Sequence, residues 1–216
     1  MSGPLVAFVH ATPLSMQPLI DAFAREFPEA EPWHLLDDRL ARDADDAGGL
    51  TPALRGRMLS LIRHAVDGGA AAVQLSCSMY GPVTRLARQL WELPVHGSDD
   101  AMFAEFARLR PARAGVLSSL GSAAADSVHR LTVSLDGGVR TELLPIPVPA
   151  ALDPARRDTA LLEAAKEHDV DLFVLAQYSI SPAQQGLETA LGVPVLSPPR
   201  LAARALRAAM RGEARP

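Results

Sequence analysis

The chain has 216 residues, enough for one large core or two smaller ones, and 21 basic against 25 acidic residues leave a net charge of −4. That balance excludes the basic face a nucleic-acid partner requires, and no apolar run reaches the roughly 20 residues of a membrane-spanning helix. One cysteine, Cys77, excludes an internal disulfide; one lysine, Lys166, set among charges in LLEAAKEHD, argues against Schiff-base and pyridoxal-phosphate chemistry.

Leu5–Val9 reads as a first buried strand. The start MSGPLVAFVH has neither the charged n-region nor the long apolar h-region of a signal peptide, so a cytoplasmic location is expected. A polar turn His10–Ser15, a helix Met16–Phe27, a strand Trp33–Leu36 and an acidic loop Asp37–Gly49 follow. Thr51 as N-cap and Pro52 at the first position open a helix running to Val66.

Next comes Ala70–Pro82, AAAVQLSCSMYGP. The short apolar run Ala71–Leu75 suits a buried parallel strand that empties into a small polar turn, with a helix Pro82–Trp91 behind it. In open α/β sheets ligands bind beyond the carboxyl ends of such strands. Cys77 stands there, near a helix N-terminus whose partial positive charge favours a thiolate. A strand Pro94–His96 follows, and Ser98-Asp99-Asp100 caps a helix to Leu109.

After Arg110-Pro111 the pattern restarts. Ala114–Leu117 is a strand, Ser118–Ser122 a polar turn, and Ala123–Leu135 a helix stopped by Asp136-Gly137-Gly138. A strand Arg140–Pro145, a loop Pro147–Pro154 and a helix to His168 lead to Leu172–Pro182, LFVLAQYSISP. This segment echoes the Cys77 segment at a spacing of one hundred residues without a gap. Leu175 matches Leu75, Gln177 matches Cys77, Pro182 matches Pro82, and Pro194-Val195 match Pro94-Val95. A helix Pro182–Leu191, a strand Val193–Leu196 and a helix Leu201–Arg211 complete the chain. Arg200, Arg204, Arg207 and Arg211 fall at helical spacing and are expected as a solvated face.

Strands alternating with helices, duplicated in step, predict an α/β protein of two pseudo-symmetric flavodoxin-like lobes with parallel sheets and an active-site cleft between them. The expected lobes are 1–97, joined by the C-terminal helix 198–216, and 98–197. Cys77 and Gln177 then occupy equivalent turns.

The order and spacing of LSCSMYGP, LAQYSIS and PVLSPPR resemble the aspartate/glutamate racemase superfamily over nearly the whole chain. The resemblance implies two α/β lobes, a cofactor-free site between them, and a Cys-Thr or Cys-Ser turn after the third strand, here Cys77-Ser78. Family racemases have a second cysteine where this chain has Gln177.

Cofactor-free racemisation removes an α-proton from one face and returns one to the other, work that suits two thiols. Gln177 cannot relay that proton, but its amide can hydrogen-bond a carboxylate or polarise a carbonyl. Three options remain for Cys77: protonating a carbanion after decarboxylation, adding to an activated double bond for cis–trans isomerisation, or working with a second acid or base such as Tyr178 or His10. His10 ends the strand beside that of Cys77 in a flavodoxin-like order, which puts it within reach as a base; a cap or a solvent-facing ring is the alternative.

Thr12, Ser78, Ser118, Ser119, Ser179 and Ser197 lie in turns at expected strand ends. Hydroxyls there, with turn N–H groups, make a carboxylate cradle of the kind the resemblance implies; singly, each is a helix cap. Tyr80 and Tyr178 either line the cleft or pack between lobes. His34, His64, His129 and His168 are scattered without ligand spacing, so no metal is assigned, and neither GxGxxG nor GxxxxGK[ST] is present.

The candidate catalytic residues are therefore Cys77, Gln177 and His10, with Thr12, Ser78, Met79, Ser118, Ser119, Tyr178 and Ser179 around the substrate. The expected partner is a small carboxylic acid, with no cofactor, nucleic acid or membrane; homo-oligomer formation stays open. The expected function is a cofactor-independent isomerase or racemase-like enzyme working through one thiol. The alternatives are a carbon–carbon lyase of the arylmalonate-decarboxylase kind and a non-catalytic carboxylate-binding protein.

Overall fold

In a computed structural model, which describes residues 3–135 and 140–212, parallel strands alternate with helices, two consecutive helices separating the second strand from the third. The order is β1 (Leu5–His10), α1 (Met16–Glu26), β2 (Glu31–Leu36), α2 (Leu40–Asp46), α3 (Pro52–Asp67), β3 (Ala72–Leu75), α4 (Gly81–Leu90), β4 (Val95–His96) and α5 (Asp100–Leu109). It continues with β5 (Arg113–Ser118), α6 (Gly121–Ser134), β6 (Glu142–Pro147), α7 (Arg157–Lys166), β7 (Leu172–Leu175), α8 (Gln184–Leu191), β8 (Val195–Leu196) and α9 (Pro198–Met210). The helix stop expected at Asp136-Gly137-Gly138 lies outside the described residues.

Residues up to Asp100, with those from Pro199 onward, form one unit, and Ala101–Pro198 form the other. Each holds a four-stranded parallel sheet, ordered β2-β1-β3-β4 in the first and β6-β5-β7-β8 in the second. The α/β fold expected from the alternation is thus present in both halves. The hundred-residue echo reaches single hydrogen bonds: Val73 N–H donates to the Pro94 carbonyl, and Phe173 N–H to that of Pro194. Likewise Ser76 N–H donates to Val9, and Ala176 N–H to Leu117.

Burial explains why these short runs are strands. All four residues of β3 and of β7 are buried, as central parallel strands covered on both faces must be. Val9, Met58, Ile62, Leu75 and Tyr80 build the first core; Ile146, Leu161, Phe173, Ile180 and Leu187 build the second. Each such side chain contributes roughly 1.5–3 kcal/mol by leaving water. At Gly115 on β5 an added Cβ would come within 2.6 Å of the Phe173 ring, so close strand packing needs glycine there.

Several expected boundaries shift for identifiable reasons. The acidic stretch Asp37–Gly49 contains α2, held by the buried pair Leu40 and Ala44 and by Arg57, which bridges Asp37 and Asp43. Thr51 does cap α3, accepting the Leu54 N–H at 3.3 Å. A 3-10 turn precedes each helix behind the two key turns: Ser78–Tyr80 leads into α4 at Gly81, one residue before the expected start, whereas Tyr178–Ala183, with Pro182 inside it, delays α8 to Gln184. The arginines of α9 are not a plain solvated face. Arg200 and Arg204 bind Glu26 on α1, and Arg207 and Arg211 bind Glu29, fastening the last helix to the first unit. Among the described residues no helix is long and apolar enough to cross a membrane.

Candidate active site

In the first unit, Cys77 follows β3 and begins the 3-10 turn in extended backbone, with φ −116° and ψ 119°. Its carbonyl accepts the Tyr80 N–H at 3.2 Å, and the turn delivers the chain into α4. Cys77 is half-buried and, with Met79, packs against the first core. Ser78 beside it is half-buried, and Thr12, at the end of β1, caps its own turn by accepting the Leu14 N–H at 3.4 Å.

His10 does not do what the sequence suggested. Side chains alternate across a strand, so Val73, Leu75 and Cys77 face one side of β3 while Ser76 faces the other, toward His10. Both ring nitrogens of His10 are taken, Nδ1 lying 2.8 Å from Ser76 Oγ and Nε2 3.0 Å from His34 Nδ1. Ser15 Oγ completes the network, donating to the Thr12 carbonyl at 3.0 Å and lying 2.7 Å from Ser76 Oγ.

One proton assignment satisfies these four short links, beside longer contacts of Ser15 Oγ with His10 Nδ1 at 3.4 Å and of Ser76 Oγ with the Val9 carbonyl at 3.5 Å. Because Ser15 donates to a carbonyl, it accepts from Ser76. Ser76 then accepts from His10 Nδ1–H, and His10 Nε2 accepts from His34 Nδ1–H. The His10 ring is neutral in this arrangement, with one nitrogen donating and the other accepting. Burial, and secondarily the adjacent His34, lowers the His10 pKa to about 4, which agrees. His34 is also shifted down by burial. The sequence does not single out Ser15 or Ser76 and leaves His34 among scattered histidines, since only strand pairing brings positions 10, 34 and 76 together.

Tyr80 is fully buried in the core of its own unit, not in a cleft or between lobes. Its hydroxyl donates to the Leu40 carbonyl at 2.9 Å, an acceptor supplied by α2, which the sequence reading had as loop. Burial first, and the neighbouring Cys77 second, push its pKa up to about 12.

In the second unit, Gln177 follows β7 at the place matching Cys77, again in extended backbone, and heads the turn Tyr178–Ala183. Its amide oxygen accepts three hydrogen bonds: from Ser118 Oγ at 3.1 Å, Ser119 N–H at 2.8 Å and Ser119 Oγ at 2.7 Å. A backbone N–H can only donate, so the atom facing it is the oxygen, and the NH2 group points away. That NH2 has no acceptor among the described residues. Ser118 and Ser119, expected in a substrate cradle, are buried and serve instead to orient Gln177. Tyr178 is buried in the same turn, its carbonyl accepting the Ser181 hydroxyl at 2.6 Å, and Ser179 is half-buried. Ser197, after β8, is buried with no partner for its hydroxyl among the described residues. Also among the described residues, no three His, Cys, Asp or Glu side chains come together as metal ligands.

Allantoin racemase from Klebsiella pneumoniae superposes on this chain with a TM-score of 0.72 at 19% identity, covering 98% of this chain and 90% of the racemase. The fold is the one found in that racemase. A glutamate racemase isoform from Bacillus anthracis matches with a TM-score of 0.70 at 14% identity, over 99% of this chain and 84% of its own. Unliganded arylmalonate decarboxylase matches at 0.63 and 19% identity, over 98% and 94%. No family model matches the sequence, and no curated relative matches it either. The likeness is one of fold, reached through structures that act as racemases and as a decarboxylase.

Proposed function

We propose that the protein is a cofactor-independent isomerase or racemase-like enzyme acting on a small carboxylic acid through the thiol of Cys77. The Gln177 amide supports this most directly. With its oxygen saturated by Ser118 and Ser119, it offers N–H donors in the turn that matches the Cys77 turn. An amide cannot shuttle a proton between carbon and solvent, so proton transfer falls to Cys77. As charge moves from the reacting carbon onto a carboxyl or carbonyl oxygen, a preoriented N–H stabilises it, an effect of roughly 10²–10³ in rate for one donor. His10, neutral and held by both nitrogens, is a positioning residue that fixes Ser76 next to Cys77. A cytoplasmic setting, which keeps a lone thiol reduced, suits this chemistry.

The same single thiol favours a second reading, carbon–carbon lysis by decarboxylation, which needs a proton delivered from one face only. Turnover of candidate acids in heavy water tests both. An isomerase exchanges or inverts the α-position, or isomerises a double bond, without releasing carbon dioxide. A lyase releases carbon dioxide and leaves deuterium with one handedness. Turnover that persists in Cys77→Ala would remove the thiol from the mechanism.

A further inference from the structure

Two exposed leucines stand in the turns beside Gln177. Leu120 is 44% exposed in the turn after β5, and Leu152 is 56% exposed at the end of the 3-10 turn Pro149–Leu152 after β6. These turns adjoin. Val148 N–H donates to the Ser118 carbonyl at 2.7 Å, and the Pro149–Leu152 turn touches the turn that Gln177 heads. Leu120 also follows directly on Ser119, the residue that holds Gln177 with two hydrogen bonds.

Leu120 breaks a local rule. It is the N-cap of α6, with φ −130° and ψ 135° and no side-chain bond to the first turn. Ser, Thr, Asn or Asp is strongly preferred there, and leucine is among the poorest choices. An exposed apolar side chain at a position that wants a cap is the kind of conflict found at functional sites. Charge shows a matching pattern. Ser118–Gly121, Pro147–Leu152, Ala176–Pro182 and Ser197, the turns at the four strand ends of this unit, contain no Asp, Glu, Lys, Arg or His. These turns therefore offer neutral donors and apolar surface, without a counter-ion for an ammonium group or a second carboxylate.

We propose that the substrate carries an uncharged, apolar body next to its carboxyl or carbonyl group, seated on Leu120 and Leu152 while Gln177 donates to the oxygen. This rests on Gln177 acting as the oxygen's donor. The prediction is a class, an apolar-substituted acid or its carbonyl analogue, as opposed to an amino acid or a dicarboxylate.

Calorimetric titration and thermal shift with phenylacetate, phenylacetamide, succinate and aspartate test it. Phenylacetate and phenylacetamide should bind, while succinate and aspartate should bind at least tenfold more weakly. Leu120→Ser should weaken phenylacetate by about fivefold to tenfold. It should also raise the melting temperature by about 2–4 °C, because serine supplies the missing cap. Leu152→Ser should weaken phenylacetate similarly without lowering the melting temperature. Preference for succinate or aspartate, binding of none of the four, or leucine variants that bind phenylacetate like the wild type would each overturn the apolar subsite. Gln177→Ala separates the two ideas. Loss of phenylacetate affinity in Gln177→Ala but not in the leucine variants leaves the donor role standing and removes the subsite; the converse removes the donor role alone.

Discussion

Ser119 gives both its backbone N–H and its hydroxyl to the amide oxygen of Gln177, at 2.8 and 2.7 Å. That double contact decides which end of the amide remains available, and so decides that the turn after β7 presents a donor. Replacement of Gln177 probes it sharply. Gln177→Ala should lower kcat/KM for the true substrate by roughly 10²–10³. Gln177→Glu should cost more activity than alanine, since a carboxylate offers no donor and repels an acid. It should nevertheless keep or raise the melting temperature, because three donors already point at the retained oxygen, which gains negative charge. Equal activity of the two variants, read by steady-state kinetics, would contradict the donor role.

Cys77 is the single cysteine of the chain, so alkylation at that site can be followed by intact mass. Iodoacetamide should add one carbamidomethyl group to the folded protein, and activity should fall in step with it. A bound acid should slow the labelling. Cys77→Ser should lower turnover by at least about 10³-fold with little change in substrate binding.

The His10 network makes stability depend on pH. The His10 pKa falls from 6.5 in the unfolded chain to about 4 in the fold, so between those values the unfolded chain binds more protons. Stability from this group is complete above about pH 6.5 and is lost progressively as pH falls toward 4. The total is on the order of 3 kcal/mol. Burial of His34 and His96 acts in the same direction. Urea unfolding measured from pH 8 to 4 should show this fall, and His10→Gln should flatten it while being less stable than the wild type at pH 7.

Glu26 ties α1 to the last helix, accepting from Arg200 at 2.9 Å and from Arg204 at 2.7 and 3.1 Å. These arginines hold its pKa below the usual range, Arg204 most of all. Glu26→Ala should destabilise by about 1–2 kcal/mol. Adding Arg204→Ala should cost less than the sum of the two single changes. Additive losses in denaturant unfolding would mean that the pair is not coupled.

Local pattern carried much of this protein. The runs Leu5–Val9, Ala71–Leu75 and Leu172–Leu175 could be read as buried strands because central parallel strands are covered on both faces and so are continuously apolar. The repeat of Cys77-to-Pro82 at Gln177-to-Pro182 announced two equivalent turns, since duplicated strand–turn units keep their spacing. Thr51-Pro52 marked a helix start because a cap acts within one turn of chain. Side-chain partnerships across strands were another matter. His10 meets Ser76 and His34 only once β1 lies between β2 and β3, and strand alternation turns Ser76 and Cys77 to opposite sides. Ser118 and Ser119 looked like substrate ligands in sequence, and only the pairing of β5 with β7 shows that they are spent on Gln177. The α9 arginines looked solvated until the fold set Glu26 and Glu29 opposite them. Pattern along the chain specifies which residues are covered, because burial is a local average. Which polar atoms meet depends on register and strand order, and those are properties of the assembled sheets.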